Sequence, residues 1–425
     1  MSATIIESDE NSVTLQIKIP FESSMLATEE SIQSVLNAAG VLASGKALEQ
    51  FDTDGTPVEI GGQRWTSKGR QPKTYHSPYG KVSIQRHVYQ SAAGGGTFCP
   101  LEVDSRIVLT STPRFAKQVS HKYAEMSGPR VVNDLGENHG RQVTRSFVQN
   151  LAEMVGSIAL AQEQSWHYQT PKPSMPITTV SIGMDGTCVL MCEDRYREAM
   201  VGTISLYDAA GARQHTTYLG ASPEYGRETF LARMDGEIAH IRKLFPEAHY
   251  QGLADGAAEN WEFLDQHTET QILDFYHASQ YLKGVAKVLY PRSEPKREAW
   301  LNQHCHDLKH EVGAAVKILE EIEAIDQVKL GERSLKRLKS AITYFSNHHH
   351  QMDYADALSQ NLPIGSGVTE AGCKVIVKSR LGGAGMKWRE VGAAVVLSLR
   401  SLSYTKGRWA QFWAKINQYG FSLSS

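Results

Sequence analysis

Ile177-Thr178-Thr179-Val180-Ser181-Ile182-Gly183-Met184-Asp185-Gly186 carries two signals at once. Val180, Ile182 and Met184 recur with the strand period of two, so they share one face and Asp185 points to the other. Gly186 then lets backbone or ligand approach the acid closely. The strand is therefore predicted over Ile177 to Met184, ending at Asp185-Gly186. The same ending recurs where His249 to Ala254 runs into Asp255-Gly256.

Between and after these two endings the pattern alternates strand and helix. Ala199 to Tyr207 and Arg213 to Leu219 flank Asp208-Ala209-Ala210-Gly211 as a hairpin. Glu228 to Phe245 and Glu259 to Gln266 are predicted helices, and Thr270 to Phe275 a strand. The order β-β-β-α-β-α-β is a three-strand meander followed by two crossover units. It predicts a mixed sheet with helices on its faces, the RNase H-like order. His277 to Tyr354 then reads as nearly all helix, a block inserted into the α/β unit. Pro363 opens the last piece: helices over Val368 to Arg380, stopped by Gly382-Gly383, and over Arg389 to Ser403, then a Trp/Phe-rich tail.

Upstream, Pro171 to Pro176 is a linker. Ser111-Thr112-Pro113 starts a helix, and Arg114 to Met126, Arg130 to Leu135 and Thr144 to Gln162 are helical with tight breaks. Such a unit is either a helix-turn-helix or a bundle that packs domains together. Val13 to Ile19 and Val82 to Val88 alternate as strands, and Glu29 to Phe51 has a helical period. The whole is an α/β multidomain chain. Its parts are 1–110, a mixed DNA-binding region; 111–165, helical and helix-turn-helix-like; 172–278, the first part of the core; 279–360, the helical insertion; 361–405, the completion of the core; and 406–425, the tail.

At 425 residues the chain exceeds one ordinary core. Its composition, 41% hydrophobic and 21% charged, argues against wholesale disorder. No signal peptide or spanning segment is read, so a cytoplasmic protein without membrane contact is expected. Five scattered cysteines predict reduced thiols and no structural zinc. The net charge of −2 hides local asymmetry. Gly61 to His87 has no acid but carries Arg64, Lys68, Arg70, Lys73, Lys81 and Arg86, with Trp65, Tyr75 and Tyr79 interleaved. Lys374 to Arg408 sets Lys374, Lys378, Arg380 and Lys387 among its basic residues against the single acid Glu390. Local basic stripes of this kind meet phosphate.

Three acids fall where a fold of this order brings them together: Asp185 and Asp255 at strand ends, and Glu370 in the first turn of the helix after Gly365-Ser366-Gly367. Taken singly, each has an ordinary reading as a turn residue, cap or dipole partner. Together they are the oxygen ligands that a pair of hard divalent cations needs for phosphodiester transfer. Glu259 and Asp265 compete but are read as surface residues. Asp274-Phe275-Tyr276-His277 either sends Asp274 and His277 into the cleft or uses Asp274 as a helix cap. His304, His306, His310 and His348 to His350 read as solvated helix ends.

Met184-Asp185-Gly186-Thr187, Ala254-Asp255-Gly256-Ala257, Asp274-Phe275-Tyr276-His277 and Pro363-Ile364-Gly365-Ser366-Gly367-Val368-Thr369-Glu370 resemble the motifs of bacterial insertion-sequence transposases of the DDE class, ISKra-type. The likeness continues through Lys374, Lys378, Arg380 and Gly385-Met386-Lys387-Trp388. It implies Asp185, Asp255 and Glu370 as catalytic, metal-holding acids and Asp274 with His277 as an accessory D-x-x-H element. It implies Mg²⁺, with Mn²⁺ able to substitute, and double-stranded DNA as partner, both terminal inverted repeats and target. A homodimer or higher assembly is expected, since two ends must be paired. DNA contacts are expected from the basic residues of Arg64 to Arg86, from Arg114, Lys117, Lys122, Arg141 and Arg145, and from Lys374, Lys378, Arg380 and Lys387. The departure from the wider pattern is the lack of N-terminal Cys/His zinc ligands. Two other readings remain: a structure-selective nuclease on the same core, and a DNA-binding protein descended from a transposase.

Overall fold

A computed structural model describes residues 3–91, 93–163, 165–224, 227–328 and 330–421. The chain forms two compact units. One comprises residues 1–168, 394–403 and 408–425, and the other residues 169–393 and 404–407. Most of the helix that begins at Glu390 groups with the first unit. No helix among the described residues is long and apolar enough to cross a membrane.

In the first unit, strands β1 (Ala3–Ser8) and β2 (Val13–Ile17) pair antiparallel, and helix α1 runs over Met25–Glu49. A four-stranded antiparallel sheet follows: β3 (Val58–Ile60), β4 (Gln63–His76), β5 (Lys81–Ser91) and β6 (Thr97–Phe98). The acid-free stretch is therefore a long β4–β5 hairpin, and β4 is a strand that carries no clear apolar alternation. On β5, Val82, Ile84, Arg86 and Val88 are buried while Lys81, Ser83 and Gln85 are exposed. Helices α2 (Pro100–Asp104), α3 (Pro113–Glu125), α4 (Gly128–His139) and α5 (Arg145–Ala161) complete this part. Val148, Leu151, Ala152, Val155 and Ile158 of α5 are buried. A side chain at Gly156 would collide with Val395. Arg400 donates to the carbonyl of Ala124 at 2.6 Å. These are the contacts of a helical bundle.

The second unit is built on a five-stranded sheet: β7 (Ile177–Met191), β8 (Arg195–Asp208), β9 (Arg213–Ala221), β10 (His249–Ala254) and β11 (Thr270–Leu273). The spatial order is β11-β10-β7-β8-β9, with β7, β8 and β9 antiparallel and β10 and β11 parallel to β7. This is the expected meander plus two crossovers. The helices are α6 (Glu228–Leu244), α7 (Ala258–Asp265), α8 (Phe275–Leu289), α9 (Glu294–His310), α10 (Ala314–Glu323), α11 (Glu332–His348) and α12 (Tyr354–Ser359). Then come α13 (Gly367–Gly372), a π-helical turn over Cys373–Lys378, and α14 (Ser379–Leu381). Helix α15 (Glu390–Tyr404) and helix α16 (Arg408–Tyr419) close the chain. The Trp/Phe-rich tail is thus helical.

Strand alternation puts helices on both sheet faces. Gly202 of β8 lies against Met234 of α6, close enough that a Cβ there would strike its sulfur. The neighbouring Val201 and Thr203 meet α13: Thr203 Oγ1 is 2.7 Å from Thr369 Oγ1, and a Cβ at Gly372 would sit 3.0 Å from Val201. Gly183, opposite Thr203, touches Thr369 so closely that a side chain cannot be accommodated without a shift. Glycine inside a strand marks such a close approach. Gly183→Ala is accordingly expected to cost about 1–3 kcal/mol by overpacking. A urea titration reads this directly, and the double variant Gly183→Ala/Thr369→Ala should recover part of the loss.

Candidate metal-binding site

Register alone lines up three acids. Gly183 of β7 pairs with Leu253 of β10, and Ala254 of β10 pairs with Leu273 of β11. Continuing both ladders makes Asp185, Asp255 and Asp274 level across three parallel strands. Asp274 N donates to the Ala254 carbonyl at 2.8 Å, which carries the ladder to that point. β7 itself does not stop at Met184 as expected. It pairs with β8 through Met191, while its other neighbour β10 ends at Ala254. Asp185 therefore sits at the opening where one neighbouring strand has ended and the other continues.

Asp185 faces α13, as its place opposite the Val180, Ile182 and Met184 face requires. Its Oδ1 accepts from Gly186 N at 2.7 Å and its Oδ2 from the Cys373 thiol at 3.3 Å. Burial pushes its pKa up; those hydrogen bonds oppose the shift, and the charge of Asp255 adds to it. Asp255 follows β10 directly. Gly256 has φ of +110°, and a side chain there would press on His348, Leu273 and Tyr344. Tyr344 of α11 donates its hydroxyl to the Asp255 carbonyl at 3.0 Å, so the helical block holds this loop.

Asp274 is fully buried and caps α8. Its Oδ1 accepts from Tyr276 N at 3.2 Å and Ser366 N at 3.1 Å; its Oδ2 accepts from His277 N at 3.3 Å and His277 Nδ1 at 2.8 Å. Of the two sequence readings of Asp274, the structure shows the cap, with His277 held against it. Burial opposes its charge, but the hydrogen bonds from His277, Ser366 and Tyr276 outweigh burial and hold its pKa down. His277 Nδ1 must be the donor to a carboxylate. Its pKa is raised chiefly by that bond, against burial, with the charges of Asp274, Asp255 and Glu370 adding.

Glu370 is exposed in the first turn of α13. The loop that delivers it is tied down at three points. Gln251 donates to the Pro363 carbonyl at 2.6 Å, Phe275 N to the Ile364 carbonyl at 3.0 Å, and Ser366 N to Asp274. Gly365 is needed there because a Cβ would come within 3.0 Å of the Tyr276 ring. Among the described residues Asp274, His277 and Glu370 form a group that could hold a metal ion, each offering a ligand atom within 4.8 Å of the others, and Asp185 and Asp255 are not part of it. Asp185 and Asp255 are close enough for their charges to act on one another and on His277. All acceptor directions of Asp274 are taken by donors, so its chief role is orienting His277. The donors left are carboxylates and one imidazole, a set suited to divalent cations.

The expected phosphate-binding residues divide. Lys374, Lys378 and Lys387 are exposed, as are Arg64, Lys68, Arg70, Lys81, Arg114 and Arg145, while Lys73 and Lys117 are half-buried. Arg70 also lies 3.4 Å from Asp52. Lys122 is paired with Asp134. Arg86, Arg141 and Arg380 are not surface residues. Arg86 falls in the inward register of β5 and donates to Tyr75 Oη at 2.8 Å and Glu102 at 3.3 Å. Arg141 donates to the Ser77 carbonyl at 3.1 Å. Arg380 lies 5.0 Å from the Trp388 ring centroid. Trp388 in turn bridges to the end of β7 through Leu190 and Cys192. Sequence reasoning missed Cys373, Gln251, Thr369 and Tyr344. Only the glycine inside β7 signalled the close packing that Thr369 makes.

The chain was compared with protein-family models and with curated proteins, and none matches it.

Two outcomes follow. His277 should titrate above its ordinary 6.5, and Asp274→Asn should bring it back down, as proton NMR of the imidazole will read. The pair stabilises the fold fully only between the ordinary values 3.8 and 6.5. Its contribution fades as pH falls through the depressed Asp274 value, and again as pH rises through the raised His277 value. Separately, a divalent ion held here at 100 times its Kd should add about 2.7 kcal/mol of stability. Thermal melts with Mn²⁺ should show that rise in wild type and little of it in Glu370→Gln.

Proposed function

We propose that the protein is a DNA transposase acting on phosphodiester bonds with divalent metal ions held by Asp185, Asp255 and Glu370. The observation that carries this reading is the level row Asp185, Asp255 and Asp274, with Glu370 of α13 within 4.8 Å of Asp274 and His277 in the group that could hold a metal ion. The strand order β11-β10-β7-β8-β9, with its antiparallel meander and parallel additions, supports an RNase H-like core. The motif resemblance across 184–388 supports the transposase class within that core.

In this reading the three acids hold Mg²⁺, for which Mn²⁺ can substitute, and the fit lies in their hard oxygen donors. When bound, the ions neutralise charge on the reacting phosphate and favour ionisation of the attacking oxygen. The residues around them supply placement. Asp274 fixes the His277 ring, the Cys373 thiol orients Asp185, and Tyr344 anchors the Asp255 loop. Lys374 and Lys378 meet the DNA backbone beside Glu370. In cleavage, the oxygen of water joins phosphorus, and the 3′-oxygen of the element end leaves. In joining, that 3′-oxygen attacks a target phosphodiester and displaces the target's own 3′-oxygen. The exposed cations of β4 and β5, with Arg114 and Arg145, contribute to holding terminal repeats. Pairing of two ends calls for a dimer or higher assembly.

The test uses purified protein, DNA bearing candidate element ends, a target plasmid and Mg²⁺ or Mn²⁺. End cleavage and joining are expected in wild type, with a loss of about 10²-fold or more in Asp185→Asn, Asp255→Asn and Glu370→Gln. Cleavage without joining would make the protein a nuclease. Binding without cleavage would leave a DNA-binding protein, and activity surviving in all three variants would overturn the site.

A further inference from the structure

A second basic surface lies on the helical block, away from the cations considered so far. Tyr281 and Gly284 of α8, with Arg333, Lys336 and Arg337 of α11, line a groove of about 510 Å³. Arg333 and Lys336 are exposed and Arg337 is half-buried. Among the described residues none of these three cations has an ion-pair or hydrogen-bond partner, and no acid lines the groove. Their spacing of three and four places them on one helix face, where like charges repel by a few tenths of a kcal/mol per pair. Glu332 stands four residues before Lys336 and so borders that face, but among the described residues no ion pair joins the two. Cations left unpaired on one face and reached by solvent are open to an anion from outside, and the arginine fork matches phosphate.

The groove also has a direction. His277, Tyr281 and Gly284 are spaced by four and three along α8, so they share one face that runs from the acid cluster into the groove. From His277 to Gly284 is about 10 Å at 1.5 Å per residue, or about three nucleotide steps at 3.4 Å. The Tyr281 ring stacks on Tyr344 with centroids 3.9 Å apart, and Tyr344 holds the Asp255 carbonyl. The floor of the groove and the acid cluster are therefore one packed piece.

We propose that this groove carries the phosphate backbone of the nucleic-acid strand as it leaves the acid cluster, with Arg333, Lys336 and Arg337 each meeting a phosphate. The inference rests on the proposed action on phosphodiester bonds, and it adds a surface on the insertion that fixes where the flanking strand lies. The experiment measures binding of full-length protein to labelled single-stranded and duplex oligonucleotides by fluorescence anisotropy across a salt series, without divalent metal. The triple variant Arg333→Ala/Lys336→Ala/Arg337→Ala should lower the slope of log K against log salt by about 2–3, at 0.7–0.9 per phosphate. The charge-keeping variant Arg333→Lys/Arg337→Lys should retain the wild-type slope. An unchanged slope in the triple variant overturns the groove while leaving the cleavage reading, which Glu370→Gln decides, untouched. An equal loss in the charge-keeping variant also overturns it, because charge would then not be what binds. A changed slope in a protein that cleaves nothing would keep the groove and remove the transposase.

Discussion

A carboxylate shut away from water is tolerated only where donors meet its lone pairs. Asp274 satisfies that condition with three backbone amides and one imidazole, and in doing so it joins three parts of the chain. It ends the last strand of the sheet, starts α8 and secures the loop ahead of α13. Glu370 and His277 stand where they do because this one side chain fixes both supports. Loss of a single donor would leave a buried charge short of a partner, so the arrangement holds as a set.

How much of this was legible in the sequence varies with the kind of signal. The strand ending before Asp255 was visible in the sequence, while the ending read at Asp185 was not one, since β7 runs on to Met191. The row of three aspartates was not visible, since it depends on register between strands far apart in the chain. The extent of β7 was underread because its apolar positions change face past the acid, from Val180, Ile182 and Met184 to Thr187, Val189 and Met191, and the Asp185-Gly186 pair at that change looks like a turn. β4 went unread because its long hairpin holds polar residues on both faces. Arg86 and Arg380 were placed on the surface on charge alone. One lies in the inward register of β5 and the other against Trp388, contacts that no local pattern announces. Cys373 looked like a scattered thiol, and only the packing of α13 against β7 brings it to Asp185.

Charge is distributed with the same dependence on context. A net charge of −2 says little when the acids and bases are segregated. Several cations that make a stretch look uniformly basic are internal struts, paired with carbonyls, phenols or carboxylates. Those that remain exposed include cations on the β4–β5 hairpin, at the starts of α3 and α5, after Glu370 and along α11. What separates the two groups is the side of a strand or helix on which each falls.

The separation of Glu370 from the aspartates also sets an order of events during synthesis. The sheet and its row of acids can form once the ribosome has passed Leu273, and the helical block folds from short-range contacts as it emerges. Thr203 must nonetheless wait for Thr369, and Asp185 for Cys373, partners made long afterwards. The nascent chain therefore holds its aspartates without their glutamate for the whole passage of the insertion. A chain cut short within that block would lack α13, and with it the contact that Thr369 makes with Thr203 and the carboxylate of Glu370 beside His277.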